Sequence, residues 1–111
     1  MGYRKMICTI ISESLNENEI LQLVDRSVLE ARINKEQYIS IIFITNSIRN
    51  VFRYRDIFTK YIDIGIRLYT IKELIELKEI VQKCKYIFIS SNDKYLNSIV
   101  NEYSDKKINV I

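Results

Sequence analysis

The sequence predicts a doubly wound α/β domain with a mostly parallel five-stranded sheet, and three observations carry that prediction. Tyr38-Ile-Ser-Ile-Ile-Phe-Ile-Thr-Asn46 is the longest dense run of β-branched and aromatic residues, and a run with so little polar alternation describes a strand covered on both faces. Short β-rich segments alternate with segments whose apolar residues recur at three and four positions. No Gly/Ser-rich or Pro-rich linker divides the 111 residues, a length that buries a core of its own, so residues 1–111 read as one domain. The Tyr38–Asn46 segment is expected in the middle of the molecule, with helices above and below it.

Each element follows from local pattern. Arg4 and Lys5 precede the apolar run from Met6 to Ile11 in the manner of a signal peptide. That run falls short of the apolar region of roughly 7–15 residues such a peptide needs, and Ser12-Glu13-Ser14 is no cleavage context, so Lys5–Ile11 reads as the first strand. Asn16–Ile33 is a helix carrying Ile20, Leu21, Val24, Val28 and Ala31 on one face. Ser14 with Glu17, and Asn16 with Glu19, both have capping-box spacing at its start.

Tyr38–Thr45 is the second strand, and Ser47–Tyr61 a second helix with Val51, Tyr54, Phe58 and Ile62 inward. Ile66–Tyr69 reads as a short third strand after the turn at Gly65. Thr70 and Glu73 form a further capping box, opening a helix with Leu74, Leu77, Val81 and Cys84 on one side. Lys85–Ser90 is the fourth strand, Asn92–Tyr103 a helix with Leu96, Ile99, Val100 and Tyr103 inward, and Lys107–Ile111 the fifth strand. Right-handed crossovers leave two strand orders, a flavodoxin- or receiver-like 2-1-3-4-5 and a Rossmann-like 3-2-1-4-5.

Composition narrows the class. Hydrophobic residues at 48% and charged residues at 28% are the balance of a globular domain. No apolar run approaches the ~20 residues of a membrane span, so no membrane partner is expected. The two cysteines, Cys8 and Cys84, read as separate buried thiols in a reducing cytoplasm.

In such a fold function gathers at the carboxyl ends of the strands. That rim holds Ser12, Glu13, Ser14 and Asn16, then Thr45, Asn46 and Ser47, then Thr70, and finally Ser90, Ser91, Asn92 and Asp93. Glu13, Ser14, Asn46, Ser91 and Asp93 are the residues expected to line a polar pocket there. Helix capping explains the same residue types, and an anion site would use them too.

Specific chemistries fail against this rim. Gly2 and Gly65 are the only glycines and neither follows the first strand, which removes dinucleotide and P-loop sites. Glu13 stands where a flavin phosphate would sit. A phosphoacceptor receiver would need an aspartate where Tyr69-Thr70 stands. Without histidine no Ser-His-Asp or Cys-His mechanism can be assembled, and two distant cysteines make no zinc site. No catalytic residue, cofactor or metal is therefore assigned, although Glu13 and Asp93 could face each other as paired carboxylates binding a divalent metal.

Charge is unevenly placed. Residues 37–72 contain six basic and two acidic side chains, a net of +4, while the remaining eleven basic and twelve acidic residues give −1. On the second helix Arg49, Arg53, Asp56 and Lys60 fall on one stripe with Phe52 beside it, as a phosphate-binding face with a stacking aromatic would look. A solvated face with Arg53–Asp56 and Asp56–Lys60 pairs accounts for the same pattern. The preferred functional reading is a non-enzymatic binding module that engages a protein partner, itself or nucleic acid through Arg49, Phe52, Arg53 and Lys60. The alternative is a small nucleotide- or metal-dependent enzyme or sensor using the rim. An exposed edge on the last strand, partly blunted by Lys106 and Lys107, offers a route to a homodimer.

Overall fold

The computed structural model of the chain describes residues 6–103 and 107–111. In chain order the elements are β1 (Met6–Ser12), α1 (Glu17–Ile33), β2 (Tyr38–Ile44), α2 (Ile48–Arg53) and α3 (Arg55–Phe58). They continue with β3 (Gly65–Ile71), α4 (Leu74–Val81), β4 (Cys84–Ile89), α5 (Lys94–Tyr103) and a short edge strand, β5 (Lys107–Val110). The sheet order is β3-β2-β1-β4-β5 and all four pairings are parallel, the Rossmann-like arrangement. Expectations for Lys5 and Lys106, and for the side chains of Leu74, Tyr103 and Lys107, lie outside what is described.

The chain runs β1, β2, β3 to one edge and returns through α4 to β4, so the helices divide between the two faces. Ile20, Leu23, Val24, Val28 and Ala31 of α1 pack with Ile57 of α3 against Ile7, Ile11, Ile39, Ile41 and Phe43. On the other face Leu77 and Val81 of α4 and Leu96 and Val100 of α5 cover Cys8, Ile10, Ile42, Ile87 and Ile89. The apolar run of β2 is thus buried on both sides, but the centre of the sheet is β1, with β2 one place from the edge.

Several expected boundaries shift for local reasons. At the start of α1 the Asn16 and Glu19 box forms: Asn16 Oδ1 accepts from the Glu19 amide at 2.9 Å and Glu19 Oε1 from the Asn16 amide at 3.0 Å. Ser14 makes no such box, because its hydroxyl turns to Ser12 and Asp93 instead.

The expected second helix is broken at Tyr54, where φ −104° and ψ 17° leave the helical region. Its aromatic and β-branched residues, Val51, Phe52, Tyr54, Ile57 and Phe58, have little intrinsic helical preference. The break turns Ile57 into the core and leaves Ile62, expected inward, fully exposed. The predicted Asp56–Lys60 pair gives way to Lys60 with Asp25 at 3.4 Å, and Asp56 faces Arg55 rather than Arg53.

β3 is longer than its sequence signal. It pairs with β2 from Tyr38↔Gly65 through Ile44↔Ile71, so Thr70 lies inside the strand rather than capping a helix. The Glu76 carboxylate accepts the Lys72 and Glu73 amides, each at 3.0 Å, and starts α4 three residues later. A Cβ at Gly65 would fall 2.5 Å from the Tyr38 ring, so a larger residue there would have to displace that half-exposed side chain. At α5 the helix opens at Lys94 rather than Asn92, with Asp93 Oδ1 accepting the Leu96 amide at 3.2 Å.

The cysteines overturn the expectation of two reduced thiols. Cys8 on β1 and Cys84 on β4 form a disulfide with Cα atoms 5.8 Å apart, and both are fully buried. β1 and β4 are neighbours, with Cys84 opposite Met6, Cys8 opposite Ile87 and a shift of register between the two pairs. Among the described residues no helix is long and apolar enough to cross a membrane. Thiol titration of protein unfolded in guanidinium without reductant should find no free cysteine, and two after reduction; two before reduction would refute the bond.

Candidate functional site

Glu13 organises one side of the rim. It sits in the turn after β1, and its carboxylate accepts the Thr45 hydroxyl, the Asn50 side-chain amide at 2.9 Å and the Asn46 backbone amide at 3.3 Å. Thr45 in turn receives Asn50 Nδ2 and the Ser47 amide, both at 3.1 Å. The Thr45 hydroxyl, more than the other donors, holds the Glu13 carboxyl below its ordinary range, against an opposing cost of desolvation that outweighs the Asn46 or the Asn50 bond taken singly. Glu13 therefore ties the loop after β1 to the loop after β2 as a carboxylate.

Asp93 organises the other side. It accepts the Ser12 hydroxyl and, at 3.5 Å, the Ser14 hydroxyl, while Ser12 and Ser14 are 2.8 Å apart. Asn92 donates to Glu19 across the same crevice. Glu19 is held low by the Asn16 amide first and by Asn92 second. Ser91 is exposed, its amide donating to the Ile111 carbonyl at 2.7 Å.

The five residues expected to share a pocket are thus divided by β1. Glu13 and Asn46 belong to the β2 side, where with Ile44, Thr45 and Lys72 they line a recess of about 150 Å³. Ser14, Ser91 and Asp93 belong to the β4 side. Glu13 and Asp93 each have separate partners, and among the described residues no group of three His, Cys, Asp or Glu side chains could hold a metal ion.

The larger opening lies beside the Glu13 recess, at the carboxyl ends of β2 and β3. It is a cleft of about 400 Å³ lined by Thr45, Asn46, Ser47, Ile48, Thr70, Lys72 and Glu76. Lys72 lines both spaces and is the cation of the cleft. Sequence reasoning missed it, because reading Thr70 as a cap ended β3 at Tyr69. The usable signal was Ile71, whose position two residues beyond Tyr69 keeps the strand alternation going.

The basic face is placed differently from its prediction. Arg49, Phe52 and Arg53 are on α2, exposed, with Phe52 65% and Ile48 70% accessible. Among the described residues Arg49 and Arg53 have no carboxylate partner. Lys60 lies beyond the break, held by Asp25 and 5.4 Å from the centre of the Tyr61 ring. It does not continue the α2 stripe.

No protein-family model matches this chain, and no curated protein matches it. A solved structure described as a universal stress protein in complex with cAMP is similar over 96% of this chain and 97% of that one, at 15% identity and a TM-score of 0.53. The two share a fold. The likeness to the universal stress protein lies in the path of an α/β chain around a parallel sheet, and at that identity it extends to no individual side chain.

The Glu13 network has a pH signature. Its folded-state pKa is lowered, so its contribution to stability is fully present above the ordinary value of 4.5 and is lost as pH falls through the depressed one. Glu13→Gln should be less stable than the parent in urea at pH 7. The gap should close below about pH 4.5; a gap independent of pH would show that the carboxylate charge is not what ties the loops.

Proposed function

We propose that this chain is a small, cytoplasmic, non-enzymatic binding module that holds a nucleoside or a nucleoside monophosphate at the rim. The cleft at the carboxyl ends of β2 and β3 carries the reading: its volume of about 400 Å³ is that of a small-molecule site. Lys72 supplies one positive charge for a phosphate, and Glu13, ionised and at the adjoining recess, supplies an acceptor for sugar hydroxyls or a base amino group. Ile48 gives the cleft an apolar wall. No glycine follows a rim strand, so the backbone cannot wrap a polyphosphate. A monophosphate suits a single lysine better. The structurally similar universal stress protein, solved with cAMP, supports the same ligand class.

Cytoplasmic residence is compatible with the Cys8–Cys84 bond. Both sulfurs are fully buried, and reduction by exchange requires a thiolate to reach one of them.

A second reading is favoured by one observation, the exposure of Ile48 and Phe52 beside Arg49 and Arg53 on α2. It makes α2 a docking surface for a protein partner, a second copy of this chain or nucleic acid.

Calorimetric titration with adenosine, AMP, cAMP and ATP tests the first reading. AMP or cAMP should bind, ATP no more tightly. Lys72→Ala should weaken the phosphate-bearing ligands about tenfold, the scale of one charged hydrogen bond, and leave adenosine unchanged. Absence of binding by any of the four at millimolar concentration discards it. For the second reading, sedimentation velocity should show self-association, or oligonucleotide binding, that Arg49→Glu with Arg53→Glu abolishes; a monomer whose oligonucleotide binding ignores that pair of changes discards it.

A further inference from the structure

Among the described residues, the face of β3 that carries Gly65, Arg67, Tyr69 and Ile71 is covered at one end only. Ile71, near the carboxyl end, is 4% exposed and packs with Leu77 and Val81 of α4. Tyr69, two residues back, is 38% exposed, Arg67 is exposed, and Tyr38, paired with Gly65, is 46% exposed. This gradient follows from topology. α4 leaves β3 at its carboxyl end and must reach the amino end of β4, two strands beyond β2, so it crosses the sheet obliquely. Among the described residues no helix covers the amino-terminal corner of β2 and β3.

What stands on that corner is planar. The Arg67 guanidinium lies 4.4 Å from the centre of the Tyr38 ring, and Tyr69 follows on the same face at a strand rise of about 6.6 Å. Among the described residues Arg67 has no carboxylate partner, unlike Arg32, which is held by Asp63 at 2.8 Å. We infer that Tyr38, Arg67 and Tyr69 form a stacking platform for single-stranded nucleic acid on the open face of the β2–β3 edge.

Charge supports that occupant. Residues 37–72, net +4, are β2, α2, α3 and β3, and the order β3-β2-β1-β4-β5 makes that sequence segment one side of the molecule. Arg49 and Arg53 lie on α2, which joins β2 to β3 over the opposite face of the same edge. Phosphates tracking around the edge would meet cations, while rings and the guanidinium plane offer base-stacking surfaces that tolerate any sequence. A single strand is favoured over a duplex for two reasons. Its bases have free faces, and the six-residue α2 is too short to serve as a groove-reading helix.

The test is fluorescence polarisation of labelled 12-mers of dT and rU, and of a 12-base-pair duplex, at 50 and 200 mM salt. Single strands should bind at low salt and more tightly than the duplex. Tyr69→Ala should weaken them roughly five- to a hundredfold, the range of one stacked base, with Arg67→Ala acting in the same direction. Both side chains are exposed, and unchanged far-UV circular dichroism should confirm that each variant folds. Arg49→Glu with Arg53→Glu should flatten the salt dependence while Tyr69→Ala still weakens what binding remains. No binding at 50 mM salt, equal affinity for the duplex, or affinity unaffected by Tyr69→Ala and Arg67→Ala each overturns the platform. So does a dimer that Tyr69→Ala dissociates, which would assign this face to a second copy.

Discussion

Ile42 and Phe43 are neighbours in sequence, their side chains leave β2 on opposite faces, and both are fully buried. Burial of each such side chain stabilises the fold by about 1.5–3 kcal/mol, and neither face can be given up to water. Helices must therefore lie on both sides, and a parallel sheet with right-handed crossovers is the arrangement that supplies them. α1 and α3 answer to Phe43, α4 and α5 to Ile42. The edges of the sheet then fall to β3 and β5.

The same arrangement disperses the polar rim. With β1 in the centre, the turn after it faces two neighbouring loops, and its residues split between them. Glu13 bonds toward Thr45, Asn46 and Asn50, whereas Ser12 and Ser14 bond toward Asp93. Hydroxyls and amides that looked in sequence like a single ligand site bond to one another within two separate groups, one on each side of β1. The open space lies one strand away, between β2 and β3, where Lys72 and Glu76 line the cleft.

Legibility in the sequence tracked how local each determinant is. Asn16 and Glu19 are three residues apart and form the cap their spacing describes. The apolar repeat of α1 is its buried face, apart from half-buried Leu21. The helix expected through Tyr54 failed because a segment of low intrinsic helical preference yields to tertiary packing, and Ile57 beyond the break is buried. Thr70 failed because ladder pairing with β2 outweighs a capping pattern that Glu73 and Glu76 satisfy three residues later. Lys72 was lost with it. Cys8 and Cys84 could not be paired from sequence, since only the adjacency of β1 and β4 joins residues so far apart.

From the chain by itself came the alternation of strand and helix, the double burial of β2, the polar character of the rim and the crowding of positive charge into residues 37–72, because each depends on residues within a few positions of one another. Tertiary structure decided which strand is central, which cysteines meet, how the rim divides, and that a charged segment becomes a charged edge. Those depend on strand order, and strand order is a choice among long-range pairings that local spacing does not encode.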